Sequence, residues 1–208
     1  MTDLLLLHGA GGDASHWDGF VEALPDFRCV TVDLNGLTSW EAMLDHLEEQ
    51  NLDNPAVVGS SLGGGLAVRW AKRHPECPGI VNLDGHGFPS TYPGLTQSEV
   101  EMWKAKLNTA FDAMAESMPP EHVALRTLID AEYTLPLYEG LSSPALLVVA
   151  MRLIRAQEPF AELFEAQRRG VLADLAGRHV VEFDGTHGMI PDKPVEVASL
   201  VSEFLTAG

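Results

Sequence analysis

Short apolar runs alternate with longer stretches of helical periodicity along this chain. Apolar runs of strand length occupy residues 4–7, 28–32, 56–58, 80–83, 145–150 and 179–183. Apolar residues with helical spacing occupy 14–24, 39–50, 61–74, 158–175 and 194–205. Strands that are apolar on both faces and alternate with helices are typical of a parallel sheet covered by helices. The pattern therefore predicts an α/β fold.

One insertion interrupts the alternation. Between residues 89 and 143, two helical patterns, over 96–117 and 120–131, follow each other without a strand between them. An interposed helical segment above the strand ends predicts a small helical cap on a single domain covering 1–208. We expect most of its apolar side chains to pack the cap onto the body and some to line a substrate pocket, among them Trp103, Leu107, Phe111, Met114 and Met118.

Composition restricts the possible partners. The formal net charge of −17 argues against a nucleic-acid or anionic-membrane surface, because both would repel the chain. Two cysteines, Cys29 and Cys77, provide neither a disulfide framework nor a metal set, and no cofactor is expected. The first residues lack a basic region, and no segment is long enough to span a bilayer. A cytoplasmic enzyme acting on a small molecule is expected, with its oligomeric state left open.

Residues 55–65 predict a nucleophile elbow. A β-branched run leads into Gly59-x-Ser61-x-Gly63, and a helical segment follows directly. Such a turn holds its serine in a cramped backbone conformation, so its flanking positions need residues without bulk. The first amides of the following helix point toward negative charge that forms at the serine. Ser61 is therefore the predicted nucleophile.

A serine needs a base and an oxyanion site. His187 lies in a glycine-flanked loop beyond the last predicted strand, where strand ends converge, and is the predicted base. The first strand ends in His8-Gly9-Ala10-Gly11-Gly12, and the amides of Ala10 and Leu62 are the predicted oxyanion donors. This loop lacks the spacing of a phosphate-binding motif.

These elements resemble the α/β-hydrolase superfamily over almost the whole chain. The matching motifs are Leu5-Leu6-Leu7-His8-Gly9 with Trp17 following, Asp33-Leu34-x-Gly36, the elbow, Gly185-Thr186-His187-Gly188, Pro191-Asp192-x-Pro194 and Glu203-Phe204-Leu205. The resemblance implies a serine–histidine–acid triad in that chain order, an oxyanion hole before the first helix and a cap after the family's sixth strand. Because the chain begins almost at the family's third strand, we expect about six strands and an exposed sheet edge.

The acid position departs from the family pattern. Where the resemblance implies an aspartate, the chain reads Met151, Arg152 and Leu153. Some relatives take the acid from the end of the preceding strand, and Asp84 stands there. Asp84 is therefore the predicted acid, with Asp184 and Glu158 as alternatives.

Substrate contacts and the reaction are predicted more coarsely. His86, Tyr92 and Trp103 are candidate substrate-binding residues. The negative charge disfavours polyanionic substrates such as coenzyme A esters. A local basic patch could offset that charge, but a solvated helix face is the expected place of its four arginines, Arg152, Arg155, Arg168 and Arg169. The leading interpretation is a serine hydrolase that cleaves a carboxylester, thioester or lactone through an acyl-enzyme. The alternatives are a lyase or C–C bond hydrolase that uses the same serine and histidine, and a small-molecule receptor with weak hydrolysis.

Overall fold

The strands of the computed structural model, which describes residues 2–131 and 133–207, form one parallel sheet of six strands in the order β2-β1-β3-β4-β5-β6. Their bounds are β1 Thr2–Leu7, β2 Phe27–Val32, β3 Ala56–Ser60, β4 Ile80–Leu83, β5 Ala145–Ala150 and β6 Val180–Phe183. The predicted α/β fold with about six parallel strands is therefore confirmed. All strands point the same way, so their carboxyl ends share one edge of the sheet.

Helices connect and cover these strands. They are α1 Asp18–Glu22, α2 Trp40–Glu48, α3 Leu62–Arg73, α4 Gln97–Ala115, α5 Pro120–Ala131, α6 Ala161–Asp174, α7 Met189–Asp192 and α8 Pro194–Thr206. The helix predicted over 14–24 divides into a 3₁₀ turn, Ala14–Trp17, and the short α1. The Asp13 side chain accepts the amide of Ser15 and starts that tight turn.

Both faces of the sheet are buried. Along β1, Leu5 and Leu7 belong to one apolar cluster with residues of α2, α3 and α6. Leu4 and Leu6 point to the opposite face and join a second cluster with residues of α1, α7 and α8. This two-sided burial explains why the strands appear in the sequence as continuous apolar runs instead of alternating ones.

The segment 89–143, here called the cap, contains α4 and α5 and lies between β4 and β5 in the chain. Thr96 starts α4 through a capping box with Glu99. Only Val100 is buried within α4, and only Leu125 within α5. Further apolar contact between the cap and the body comes from Tyr138, which is buried in the core cluster. Over the residues that the structure describes, no helix combines the length and hydropathy needed to cross a membrane.

Candidate active site

The elbow between β3 and α3 holds Ser61 at a positive φ of 54°, with ψ −115°, a backbone conformation that residues other than glycine rarely adopt. The two glycines of the motif, Gly59 and Gly63, occupy positions that have no space for a side chain. A Cβ on Gly59 would lie 2.0 Å from the carbonyl oxygen of Gly63, and one on Gly63 would lie 2.2 Å from the carbonyl oxygen of Leu7. Glycine at both positions lets the strand, turn and helix pack this closely, which leaves Ser61 at the tip of the turn.

His187 stands between a hydroxyl and a carboxylate. Its Nε2 lies 3.0 Å from the Oγ of Ser61, and its Nδ1 lies 2.7 Å from the Oδ2 of Asp84. The other carboxylate oxygen of Asp84 accepts the amide of Ala150 at 3.0 Å. Because the carboxylate can only accept, Nδ1 donates to it and Nε2 is left to accept from Ser61.

The alternative acids lie elsewhere. Asp184 accepts two hydrogen bonds from Arg152, at 2.6 and 2.9 Å, at the protein surface. Glu158 is exposed at the start of a 3₁₀ turn. Of the three acids considered from the sequence, Asp84 is the one within hydrogen-bond distance of His187.

Two opposing effects determine the pKa of His187. Burial lowers the pKa of its imidazole, whereas the hydrogen bond to Asp84 and the negative charge of that carboxylate raise it. The balance places the pKa above the ordinary value of 6.5. This arrangement stabilises the imidazolium that forms when the ring accepts a proton.

A buried hydrogen-bond network supports the turn that carries Asp84. The amide group of Asn82 donates to the hydroxyl of Tyr138 at 2.7 Å and to the carbonyl of Gly85 at 3.1 Å, and its oxygen accepts the amide of Gly85 at 2.8 Å. The Nε2 of His86 lies 2.9 Å from the carbonyl oxygen of Val148, which can only accept, so this nitrogen donates.

The hydroxyl of Tyr138 closes the network. The Nδ1 of His86, left as an acceptor, lies 3.0 Å from that hydroxyl. Burial lowers the pKa of His86, which keeps its ring neutral and consistent with this assignment. Tyr138 lies near the end of the cap, so the network ties the cap to the strand end that carries Asp84.

Replacing Tyr138 with phenylalanine is expected to lower the free energy of unfolding by about 2 kcal/mol, because the buried Nδ2 of Asn82 and Nδ1 of His86 would each lose a partner. Urea denaturation of the two proteins measures this difference. Tyr133→Phe is the matched control, since Tyr133 is exposed and its substitution should change stability by less than about 0.5 kcal/mol. Equal stability of Tyr138→Phe and wild type would show that the network contributes nothing.

The loop after β1 packs against the elbow. A Cβ on Gly9 would lie 3.1 Å from the Cβ of Ser61, so the backbone of this loop passes beside the serine. Buried His8 shapes the loop: its Nδ1 lies 2.8 Å from the carbonyl oxygen of Gly9, and its Nε2 accepts the amide of Leu34 at 2.9 Å. Across the described ranges, no hydrogen bond engages the amides of Ala10 or Leu62. Both remain available to an oxyanion.

Two cavities meet at Ser61 and His187. The first, of about 270 Å³, extends beneath the cap and includes Asp84, His86 and Leu62 in its wall. The second, of about 240 Å³, lies along the loop after β1 and includes Ala10. Of the predicted oxyanion residues, Leu62 is in the wall of the first cavity and Ala10 in the wall of the second. A substrate bound across both cavities would present its reacting bond to Ser61.

Tyr92 and Trp103 are not brought to the wall of the first cavity. The indole of Trp103 contacts the ring of Phe160 edge to face, with centroids 6.5 Å apart, and Lys104 lies over the ring of Tyr92. Their placement gives no support to the predicted substrate contact. Among the apolar cap residues named above, Leu107 alone lines this cavity, and Met114 is 53% exposed.

His86 does reach the wall of the first cavity, but both of its ring nitrogens are engaged. Its place in the network favours a structural role over a polar contact with substrate. In the described ranges, no three histidine, cysteine, aspartate or glutamate side chains cluster as a metal site would require.

Fold and motifs define the class of this protein. A sequence model described as the Alpha/beta hydrolase family matches residues 4–200, and the chain belongs to that family. The candidate site lies at the carboxyl ends of the strands, as in related folds.

Individual relatives give a narrower comparison. The chain is 28% identical to 2-succinyl-6-hydroxy-2,4-cyclohexadiene-1-carboxylate synthase from Citrobacter koseri over 84% of this chain and 71% of that protein. It is 37% identical to pimeloyl-[acyl-carrier protein] methyl ester esterase from Nitrosomonas europaea over 36% of this chain, and so spans only 33% of that relative. The crystal structure of a bromoperoxidase from Bacillus anthracis shares the fold, with a TM-score of 0.70, 16% identity and coverage of 99% of this chain and 92% of that one.

Proposed function

We propose that this protein is a serine hydrolase that cleaves an ester-like bond of a small molecule: a carboxylester, a thioester or a lactone. The observation that carries the proposal is the continuous hydrogen-bonded path from the Oγ of Ser61 through His187 to Asp84, at the junction of two cavities. The similarity to a methyl ester esterase supports the same class of bond.

In the proposed reaction, the Oγ of Ser61 attacks the carbonyl carbon while its proton passes to the Nε2 of His187. The amides of Ala10 and Leu62 hold the oxyanion, and Asp84 stabilises the imidazolium. His187 then gives the proton to the leaving oxygen or sulfur as its bond to carbon breaks. His187 then takes a proton from a water molecule, whose oxygen attacks the carbonyl carbon of the acyl-enzyme. As the bond between that carbon and the Oγ of Ser61 breaks, His187 gives the proton to the Oγ, and the acid is released.

Covalent labelling tests this proposal. The intact mass of the protein is measured after exposure to a fluorophosphonate, beside Ser61→Ala. An activated serine in an open site gives one adduct on the wild type and none on the variant. The absence of an adduct on folded wild-type protein would contradict the proposal.

The pH dependence of kcat/KM for an ester is expected to rise from acid to neutral pH with a midpoint above 6.5, the ordinary histidine value. The value of kcat/KM rises with pH because His187 accepts a proton only when its ring is neutral. Its raised pKa keeps the ring protonated to higher pH, so the midpoint lies above the ordinary value. Initial rates under subsaturating substrate measure this curve. A midpoint below the ordinary value would contradict the assigned balance between burial and Asp84.

A second candidate reaction is non-hydrolytic, with Ser61 and His187 moving protons without an acyl-enzyme. It is favoured by the similarity to the Citrobacter synthase, which extends over most of the chain. Rapid mixing with excess ester separates the two. A burst of leaving group equal to the protein concentration indicates acyl-enzyme formation, whereas labelling of Ser61 without turnover of any ester favours the second reaction.

A further inference from the structure

One face of α6 forms part of the wall of the cavity beneath the cap. Its residues there are Phe164, Gln167, Arg168 and Val171, whose spacing places them on one side of a helix. Arg168 lies in the middle of this face and is half-buried. The structure therefore corrects the expectation of a fully solvated arginine face: Arg168 faces the cavity that contains Ser61, whereas its neighbour Arg169 is exposed.

Among the described residues, the other charged side chains in the wall of this cavity each form at least one hydrogen bond, although the Oδ1 of Asp130 forms none. Arg126 donates to Asp130 at 2.7 Å, and Arg152 forms its two hydrogen bonds with Asp184. Asp84 is bound to His187 and to the amide of Ala150.

Arg168 differs from these side chains in its hydrogen bonding. Across residues 2–131 and 133–207, neither a hydrogen bond nor an ion pair engages its guanidinium. Burial lowers the pKa of Arg168, while the charges of Asp84 and Glu165 oppose that effect. A guanidinium stays protonated in proteins, so this is a charged group that has lost part of its hydration without gaining a partner. Such a group is stabilised when a ligand brings an anion to it.

We propose that Arg168 binds a carboxylate of the substrate, so that the preferred substrates are monoesters of small dicarboxylic acids. This inference rests on the proposed ester hydrolysis and names its substrate class. A planar guanidinium matches the two oxygens of a carboxylate and binds both at once. A phosphate dianion fits less well, because Arg126 and Arg152 are committed to Asp130 and Asp184 and the chain carries a net charge of −17.

Arg168 could instead serve only to balance the charge of Asp84, and the two roles predict different effects of removing it. If its charge served only to balance Asp84, its loss would alter the triad and would affect every ester to the same degree. If it binds a substrate carboxylate, its loss affects esters that carry a carboxylate and changes the preference between charged and neutral substrates. The ratio of two kcat/KM values therefore distinguishes the roles.

The substrates for the test are monomethyl glutarate and methyl 5-methylhexanoate, which replaces the carboxylate with an isopropyl group of similar shape. In Arg168→Gln, the ratio of kcat/KM for the charged over the neutral ester is expected to fall by about 10- to 100-fold, the usual effect of losing a charged hydrogen-bonded pair. Arg169→Gln is the matched control. Arg169 is exposed and donates to the carbonyl of Pro93, so the ratio should not change.

Calorimetry with Ser61→Ala separates this inference from the proposed function. We expect Ser61→Ala to bind monomethyl glutarate more tightly than the neutral ester, and this preference to be lost in the Ser61→Ala, Arg168→Gln double variant. If the wild type hydrolyses no ester but the binding preference depends on Arg168, the subsite stands and ester hydrolysis fails. If the wild type hydrolyses both esters and Arg168→Gln leaves their ratio unchanged, the subsite is overturned while hydrolysis stands.

Discussion

Ser61→Ala is expected to lower kcat for ester hydrolysis by about 10⁶-fold, the loss typical of removing the nucleophile of a serine–histidine–acid site. The reason is geometric. The Oγ of Ser61 is the one atom of the proposed path that would form the covalent bond, and alanine leaves His187 with no hydroxyl to deprotonate. Turnover is measured by methanol release from monomethyl glutarate, at protein concentrations high enough to detect the residual rate.

The control for this variant is Ser199→Ala. Ser199 is exposed on α8, and its hydroxyl donates to the carbonyl of Val195, so this change tests the effect of losing a serine hydroxyl elsewhere. We expect kcat to stay within about threefold of the wild type, because surface changes have small effects. A Ser61→Ala protein that keeps a tenth of wild-type activity would remove Ser61 as nucleophile and end the proposed mechanism.

The elements that sequence predicted well are those whose causes are local. The elbow needs small residues at Gly59 and Gly63 because backbone atoms crowd both positions. That requirement can be recognised in the sequence as a five-residue motif. The strands were predictable for a similar reason, since burial on both faces leaves continuous apolar runs. The position of Asp84 at the end of β4 could also be read, because the carboxyl ends of parallel strands share one edge.

Contacts set by the packing of distant segments were not predictable. Leu107 reaches the cavity whereas Trp103, on the same helix, contacts Phe160, and this difference depends on how α4 lies against α6. Tyr138 joins Asn82 across 56 positions of the chain, which no local pattern signals. Arg168 and Arg169 look alike in the sequence, and only the rotation of α6 places one in the cavity and the other in solvent.

Asp84→Asn is expected to lower kcat by about 10⁴-fold while leaving the protein folded. The amide oxygen of asparagine can still accept the amide of Ala150, as the Oδ1 of Asp84 does, which turns the NH₂ group toward His187. The Nδ1 of His187 must then accept, so its proton moves to Nε2, where it faces Ser61 and blocks proton transfer.

The same variant should also change the pH dependence of the remaining activity. The two causes that raise the pKa of His187 both come from Asp84, and burial, which lowers it, would remain. The midpoint of the acid limb is therefore expected to move to lower pH than in the wild type. Profiles of kcat/KM for the two proteins with the same ester measure this displacement.

Asp184→Asn is the matched control for both measurements. It makes the same chemical change near His187 in the sequence, but Asp184 is 73% exposed and paired with Arg152. Because exposed ion pairs contribute little, kcat should stay within about threefold and the midpoint should not move. Near-normal activity in Asp84→Asn together with a large loss in Asp184→Asn would transfer the role of the acid to Asp184. A loss confined to Asp84→Asn, with the midpoint displaced to lower pH, requires that Asp84 act on the protonation of His187 and not only on the fold.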